Sequence, residues 1–179
     1  MKKKYLILRI AILVVAVMLT FVLQTTVLQQ IPYVTIQPNL LLIIVCSVGL
    51  IRDKSKGMWV GFFSGLLVDI FFGGEVLGIY ALIYTFIGYF SGLLSSILLK
   101  DTVPVAMIFC FGSEVLYHGY VYVFTYLLRK RFEFPIYLRT VVLPELVTTM
   151  ICMLVIYGLG LLLDSFITDK ERKGDNRLV

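Results

Sequence analysis

Hydrophobic residues along this chain gather into six runs that short polar or charged segments separate. The runs cover Tyr5–Leu23, Asn39–Ile51, Gly57–Phe72, Val76–Leu99, Val103–Leu128 and Val141–Ile167. A helix needs about 20 apolar residues to cross the hydrocarbon core of a bilayer, and most of the runs approach or exceed that length. The pattern predicts an all-α polytopic membrane protein with six transmembrane helices. We expect residues 1–168 to form one transmembrane domain and residues 169–179 a basic cytoplasmic tail.

The composition excludes an ordinary water-soluble domain. Of the 179 residues, 60% are hydrophobic and 15% are charged, and the mean hydropathy is +0.97. The net charge of +5 comes from basic residues in short clusters between the apolar runs. Such clusters indicate membrane topology rather than a nucleic-acid interface. The three cysteines lie inside apolar runs, so we expect buried thiols and no disulfide framework.

The distribution of Lys and Arg predicts how the helices are oriented. Lys2–Lys4 precede the first run, and basic residues are enriched in cytoplasmic segments. With six spans both termini lie in the cytoplasm, but Arg129–Arg131 and Arg139 then lie outside. A re-entrant third run changes the balance of charge very little, so the position of the loop 129–139 stays open.

Two acidic residues suggest a reason for that basic loop. In the six-span topology Asp69 and Glu145 lie in the outer half of the membrane, where an unpaired carboxylate is costly. We expect Arg129 or Arg139 to fold inward against one of these acids. The alternative is a solvated loop.

Two rows of mostly small residues, each with a four-residue repeat, mark the third and fourth runs. The rows are Gly57, Gly61, Gly65, Asp69 and Gly73, then Tyr80, Tyr84, Gly88, Gly92 and Ser96. Residues four apart share one helical face, and small residues let helix backbones approach closely in a bilayer. An antiparallel hairpin with a short turn predicts the register Gly57–Ser96, Gly61–Gly92, Gly65–Gly88 and Asp69–Tyr84. In this register the Asp69 carboxylate meets the Tyr84 hydroxyl; the alternative is that both rows face a helix of a partner.

Glu114 and His118 are the candidate chemical residues of the fifth run. Their spacing places them on one face of a helix, where they could serve an intramembrane enzyme or a proton relay. We favour a structural hydrogen bond or the lining of a polar cavity, with Glu145 as a further member. His118 is the only histidine, and no second metal ligand has suitable spacing, so we predict no metal and no cofactor. The chain lacks a Gly-x-Ser-x-Gly elbow, a phosphate-binding loop and a Cys-x-x-Cys motif, and we predict that it is not an enzyme.

Four short motifs of the second, third and fourth runs occur in a recognisable order. They are Gln37-Pro-Asn-Leu-Leu-Leu, Gly61-Phe-Phe-Ser-Gly-Leu-Leu-Val-Asp-Ile, Gly78-Ile-Tyr-Ala-Leu and Gly88-Tyr-Phe-Ser-Gly-Leu. Their order and their spacing around Asp69 resemble the rod shape-determining protein MreD family. The motif match covers residues 37–94, and the rest of the chain agrees in hydropathy.

The resemblance implies a multi-pass protein of the bacterial inner membrane that takes part in cell elongation. Members of this family act with MreC, the actin-like MreB, the glycosyltransferase RodA and a class B penicillin-binding transpeptidase. They help to organise peptidoglycan synthesis along the side wall and have no known catalysis of their own. The family fold is similar to the substrate-binding component of energy-coupling-factor transporters. The alternative function is therefore solute binding for a vitamin-type transporter, which would require a polar cavity around Glu114, Tyr117 and His118.

Overall fold

A computed structural model describes residues 2–27, 38–72, 78–95, 103–124 and 134–175. Within these ranges every regular element is helical, which confirms the all-α prediction. The helices are α1 (Lys2–Val22), α2 (Leu40–Ile51), α3 (Lys54–Phe72), α4 (Ile79–Ser95), α5 (Val103–Tyr122), the short α6 (Phe134–Tyr137) and α7 (Leu143–Asp175). A π-helical turn extends α1 over Leu23–Val27, and a second one, Leu138–Val142, joins α6 to α7.

Helix α2 forms the centre of the protein. All residues of its Leu40–Leu50 segment are buried, and it packs against α1, α3, α4, α5 and α7. A helix that is apolar on every side belongs inside a protein or a membrane. The neighbouring helices therefore shield α2 on all sides.

The outer helices carry the features of a membrane protein. Three helical segments are long and apolar enough to span a bilayer, namely Ile7–Thr26, Lys54–Phe72 and Phe134–Thr168. Helices α2 and α4 are apolar but shorter. The prediction of a helical membrane protein is therefore confirmed, while the number of six spans stays a prediction. Helix α7 runs through to Asp175, so its backbone has no break at the predicted domain boundary of residue 168.

Helices α3 and α4 form the closest pair in the described part of the chain, and their register differs from the predicted one. A methyl group built on Gly57 would meet the carbonyl oxygen of Gly88, and one built on Gly61 would meet that of Tyr84. Gly88 was expected two helical turns further along, opposite Gly65, and the predicted partner Ser96 lies outside the described residues. The predicted register is therefore wrong.

The reason for the shift lies at the ends of the two helices. The prediction assumed that both helices end level with each other at a tight turn. Instead, Gly65 lies against Tyr80 and Ala81 at the beginning of α4, so the last turns of α3 extend past that level to Phe72. Asp69 lies on this extension and cannot face Tyr84. The predicted contact between these two side chains is wrong.

Candidate functional site

The glycines of both rows that the structure describes are buried within the chain itself, and Gly73 lies outside the described residues. Gly57, Gly61 and Gly65 of α3 lie against the backbone of α4, and Gly92 lies against Asp53 and Lys54 at the beginning of α3. A methyl group on Gly49 of α2 would also meet the side chain of Ser91. Because these small residues are already in contact with each other's helices, they are not open to a helix of a partner.

Asp69 closes the end of the α3–α4 pair. Its side chain is 1% exposed. Its Oδ1 accepts a 3.2 Å hydrogen bond from the N–H of Tyr80, and its Oδ2 accepts a 2.7 Å hydrogen bond from the N–H of Ala81. The first N–H groups of a helix lack partners within the helix and favour negative charge. The helix end therefore provides the compensation that a buried carboxylate needs.

Asn39 links three helices through one buried side chain and its own backbone. The Tyr84 hydroxyl donates to Asn39 Oδ1 at 2.8 Å, and the same oxygen accepts from the N–H of Leu42 at 3.2 Å as the N-terminal cap of α2. The N–H of Asn39 donates to Thr149 Oγ1 of α7 at 3.1 Å. Asn39 is not among the site residues predicted from the sequence, although Asn directly before an apolar run is a common helix-start signal.

Thr149 connects this network to the acidic and histidine side chains of α5. Its hydroxyl donates to Glu114 Oε1 at 3.3 Å. His118 Nε2 lies 3.6 Å from Glu114 Oε1 and also 3.6 Å from Glu145 Oε2. We call Glu114, His118 and Glu145 the polar cluster. The structure thus brings together the three residues that the sequence analysis proposed as members of one polar site.

The polar cluster is enclosed and has unused hydrogen-bonding capacity. Glu114 is 0% exposed and His118 is 4% exposed. In the described part of the chain, Glu114 Oε2 and His118 Nε2 are buried without a hydrogen-bond partner. His118 Nδ1 lies 3.1 Å from the Tyr137 hydroxyl, which fixes the orientation of the ring. Such an arrangement can hold a proton or a cation between its carboxylates. The prediction that the polar cluster lines a cavity stays a prediction.

Arg139 does not fold inward against Asp69 or Glu145, as the sequence had predicted for Arg129 or Arg139. Arg139 is exposed; Asp69 binds the backbone of α4 and Glu145 faces His118. The predicted pairing of Arg139 with either acid is wrong because both carboxylates point into the protein, and Arg129 lies outside the described residues. Among the described residues, an ion pair joins Arg52 Nη2 to Asp164 Oδ1 at 2.7 Å and ties the end of α2 to α7.

Comparison with known proteins identifies a family relationship. The family model described as rod shape-determining protein MreD matches residues 4–165, a range that includes the α3–α4 pair and the whole polar cluster. Neither the curated proteins nor the solved structures contain a match. The expected similarity of fold to the substrate-binding component of energy-coupling-factor transporters therefore receives no support.

Proposed function

The chain belongs to the MreD family of rod shape-determining proteins, and from this we propose that it is a non-catalytic membrane scaffold of the bacterial cell-elongation machinery. Its helices bind the transmembrane helix of MreC and help to organise side-wall peptidoglycan synthesis by RodA and a class B penicillin-binding transpeptidase, together with MreB. It spans the inner membrane with both termini in the cytoplasm. The observation that carries this function is the family match over residues 4–165.

The packing of α3 and α4 supports a scaffold role. Their glycines hold the two helices at backbone contact, and Asp69 joins the end of one helix to the beginning of the other. Both features make the pair a rigid unit. Rigid surfaces that need no reordering lose little entropy when a partner binds.

We assign the partner surface to the outer face of this rigid pair. The surface of a groove there is almost entirely apolar, and the groove is lined by Met58, Phe62, Gly78, Ala81, Leu82, Thr85, Phe86 and Tyr89. Helices associate in a bilayer chiefly through close van der Waals packing, because lipid tails are as apolar as the side chains. A groove of this shape offers a single apolar helix more contact than a flat helical surface does.

Depletion of the protein in its own host tests the scaffold function. We expect depletion to turn rod-shaped cells round or swollen and to disperse MreC from the side wall. Rod-shaped depleted cells with normal MreC localisation would show that the proposed function is wrong.

A matched pair of tryptophan variants tests the partner surface. Leu82→Trp fills the groove, whereas Leu162→Trp adds the same bulk to α7; both positions are exposed, at 47% and 67%. We expect Leu82→Trp to reduce the recovery of MreC with the tagged protein several-fold and Leu162→Trp to leave it unchanged. Equal recovery with both variants would contradict the groove as the partner surface without affecting the depletion result.

A further inference from the structure

We propose that Glu114, His118 and Glu145 bind a divalent transition-metal ion, of which Zn²⁺ is the best fit, and that this ion joins α5 to α7. Each residue offers one ligand atom, and these three atoms all lie within 4.8 Å of one another. The site goes beyond the scaffold function and does not depend on it.

The charges of the cluster favour a bound cation, because two carboxylates flank a single histidine. The carboxylates of Glu114 and Glu145 lie on either side of His118. The Glu114 side chain is 0% exposed and the Glu145 side chain is 18% exposed. Buried carboxylates are costly unless a positive charge or hydrogen bonds compensate them. Without a metal the cluster needs two added protons to become neutral, whereas one divalent ion beside a neutral imidazole makes it neutral.

The two distances from His118 Nε2 suit a metal better than direct hydrogen bonds, whereas the two carboxylate oxygens, which lie within 4.8 Å of each other, move closer together around a bound ion. His118 Nε2 is 3.6 Å from one oxygen of each carboxylate, beyond the range of about 2.7–3.2 Å for such bonds. Two ligands at about 2.0–2.1 Å from a tetrahedral zinc ion are about 3.3–3.4 Å apart. Glu114 Oε2, which has no hydrogen-bond partner among the described residues, is available as a further ligand atom.

The surroundings of the cluster orient its members as metal ligands require. A metal-binding histidine commonly donates its other ring N–H to a neighbouring acceptor, and this fixes which nitrogen carries the lone pair. When His118 Nδ1–H donates to the Tyr137 hydroxyl, 3.1 Å away, the lone pair of Nε2 points at the carboxylates. Thr149 holds Glu114 by donating to its Oε1.

The ligand types narrow the choice of ion. One imidazole and two carboxylates form a mixed nitrogen and oxygen set, which suits Zn²⁺ and similar transition-metal ions. Mg²⁺ and Ca²⁺ prefer oxygen ligands throughout. The site is part of the helix packing, since its ligands come from two helices that are far apart in the sequence.

The first test measures zinc binding by the full-length protein in mild detergent. After treatment with a chelator, the protein is titrated with Zn²⁺ alone, and bound zinc is measured by mass spectrometry. We expect about one ion per chain, and binding at least about tenfold weaker in Glu145→Gln and His118→Gln. Asp53→Asn, an exposed acid outside the cluster, serves as the control and should bind as the wild type does.

Two outcomes would overturn the site. If the wild-type protein binds no zinc at micromolar concentrations, the polar cluster is not a zinc site. If the two cluster variants bind zinc as tightly as Asp53→Asn, the zinc is adventitious.

A second measurement uses only the wild-type protein, so it still tests the site if Glu145→Gln or His118→Gln fails to fold. Co²⁺ added to the wild-type protein should give the stronger visible absorption of a four- or five-coordinate site, and Zn²⁺ should remove it. If the spectrum of Co²⁺ with the protein is the same as that of Co²⁺ in water, the proposal is wrong.

Discussion

The carboxylate of Asp69, near the end of α3, accepts a 2.7 Å hydrogen bond from the backbone N–H of Ala81 in the first turn of α4. This bond, with its companion from Tyr80, joins the end of one helix to the beginning of the next across a segment outside the described residues. An acid that the sequence placed in a row of glycines thus acts as a cap for a neighbouring helix.

Replacing Asp69 should destabilise the α3–α4 pair. Asp69→Ala removes both acceptors and the negative charge at a helix N-terminus, and we expect a loss of about 2–3 kcal/mol in the free energy of unfolding. Asp69→Asn keeps one acceptor and should lose about half as much. Thermal unfolding in detergent measures the effect, with the exposed Asp53→Asn as the control. Equal melting temperatures for Asp69→Ala and Asp53→Asn would rule out the capping role.

Adding a single methyl group to the α3–α4 contact should also be costly. In Gly61→Ala the new carbon would collide with the carbonyl oxygen of Tyr84, and overpacking of this kind costs about 1–3 kcal/mol. Gly112→Ala on α5 is the matched control because none of the described residues lies within 4 Å of its added carbon. There we expect no loss, or a gain of up to about 1 kcal/mol from helix propensity. Unfolding midpoints of the two variants should therefore move apart; if they coincide, the close backbone contact is wrong.

The hydroxyl of Tyr84 should contribute to stability through Asn39. Tyr84→Phe leaves the ring in place and removes only the 2.8 Å hydrogen bond to Asn39 Oδ1, so we expect a loss of about 1 kcal/mol. Tyr89→Phe provides the comparison, since Tyr89 is exposed on the same helix. The prediction fails if both variants unfold at the wild-type temperature.

Tyr137 should affect zinc binding without being a ligand. Tyr137→Phe removes the hydroxyl that lies 3.1 Å from His118 Nδ1, and loss of such an outer partner weakens metal binding about tenfold or more. The zinc titration described above measures the change, and Tyr89→Phe is again the control. Unchanged zinc affinity in Tyr137→Phe would show that the hydroxyl does not orient the ring.

Local pattern accounts for the elements of the fold. The second apolar run was predicted as Asn39–Ile51 and α2 covers Leu40–Ile51; the third was predicted to end at Phe72, as α3 does. Helix formation and burial depend on the apolar character of neighbouring residues, so these bounds follow from composition over a few turns. The close approach at Gly57, Gly61 and Gly65 also follows from a local property, because four-residue spacing puts small side chains on one face.

Contacts between distant positions could not be predicted in the same way. The α3–α4 register depends on how far α3 extends past the beginning of α4, and a four-residue repeat fits equally well when it slides by whole turns. Glu114 and His118 share a face by spacing alone, but Glu145 joins them only because α7 packs against α5 at that level. Asn39 and Tyr84 are 45 residues apart, and no local sequence pattern relates the two positions.

The sequence by itself determined a helical membrane protein, the apolar runs in which all of its helices except α6 lie, the small-residue face of α3 and the family to which its motifs point. Only the tertiary structure decided the register of α3 on α4, the capping role of Asp69 and the meeting of three side chains in the polar cluster. The physical reason is that hydrophobicity and helical spacing act over a few turns, whereas these contacts depend on how whole helices are placed against one another. Glu114, His118 and Glu145 therefore become a candidate metal site only once α5 and α7 are packed together.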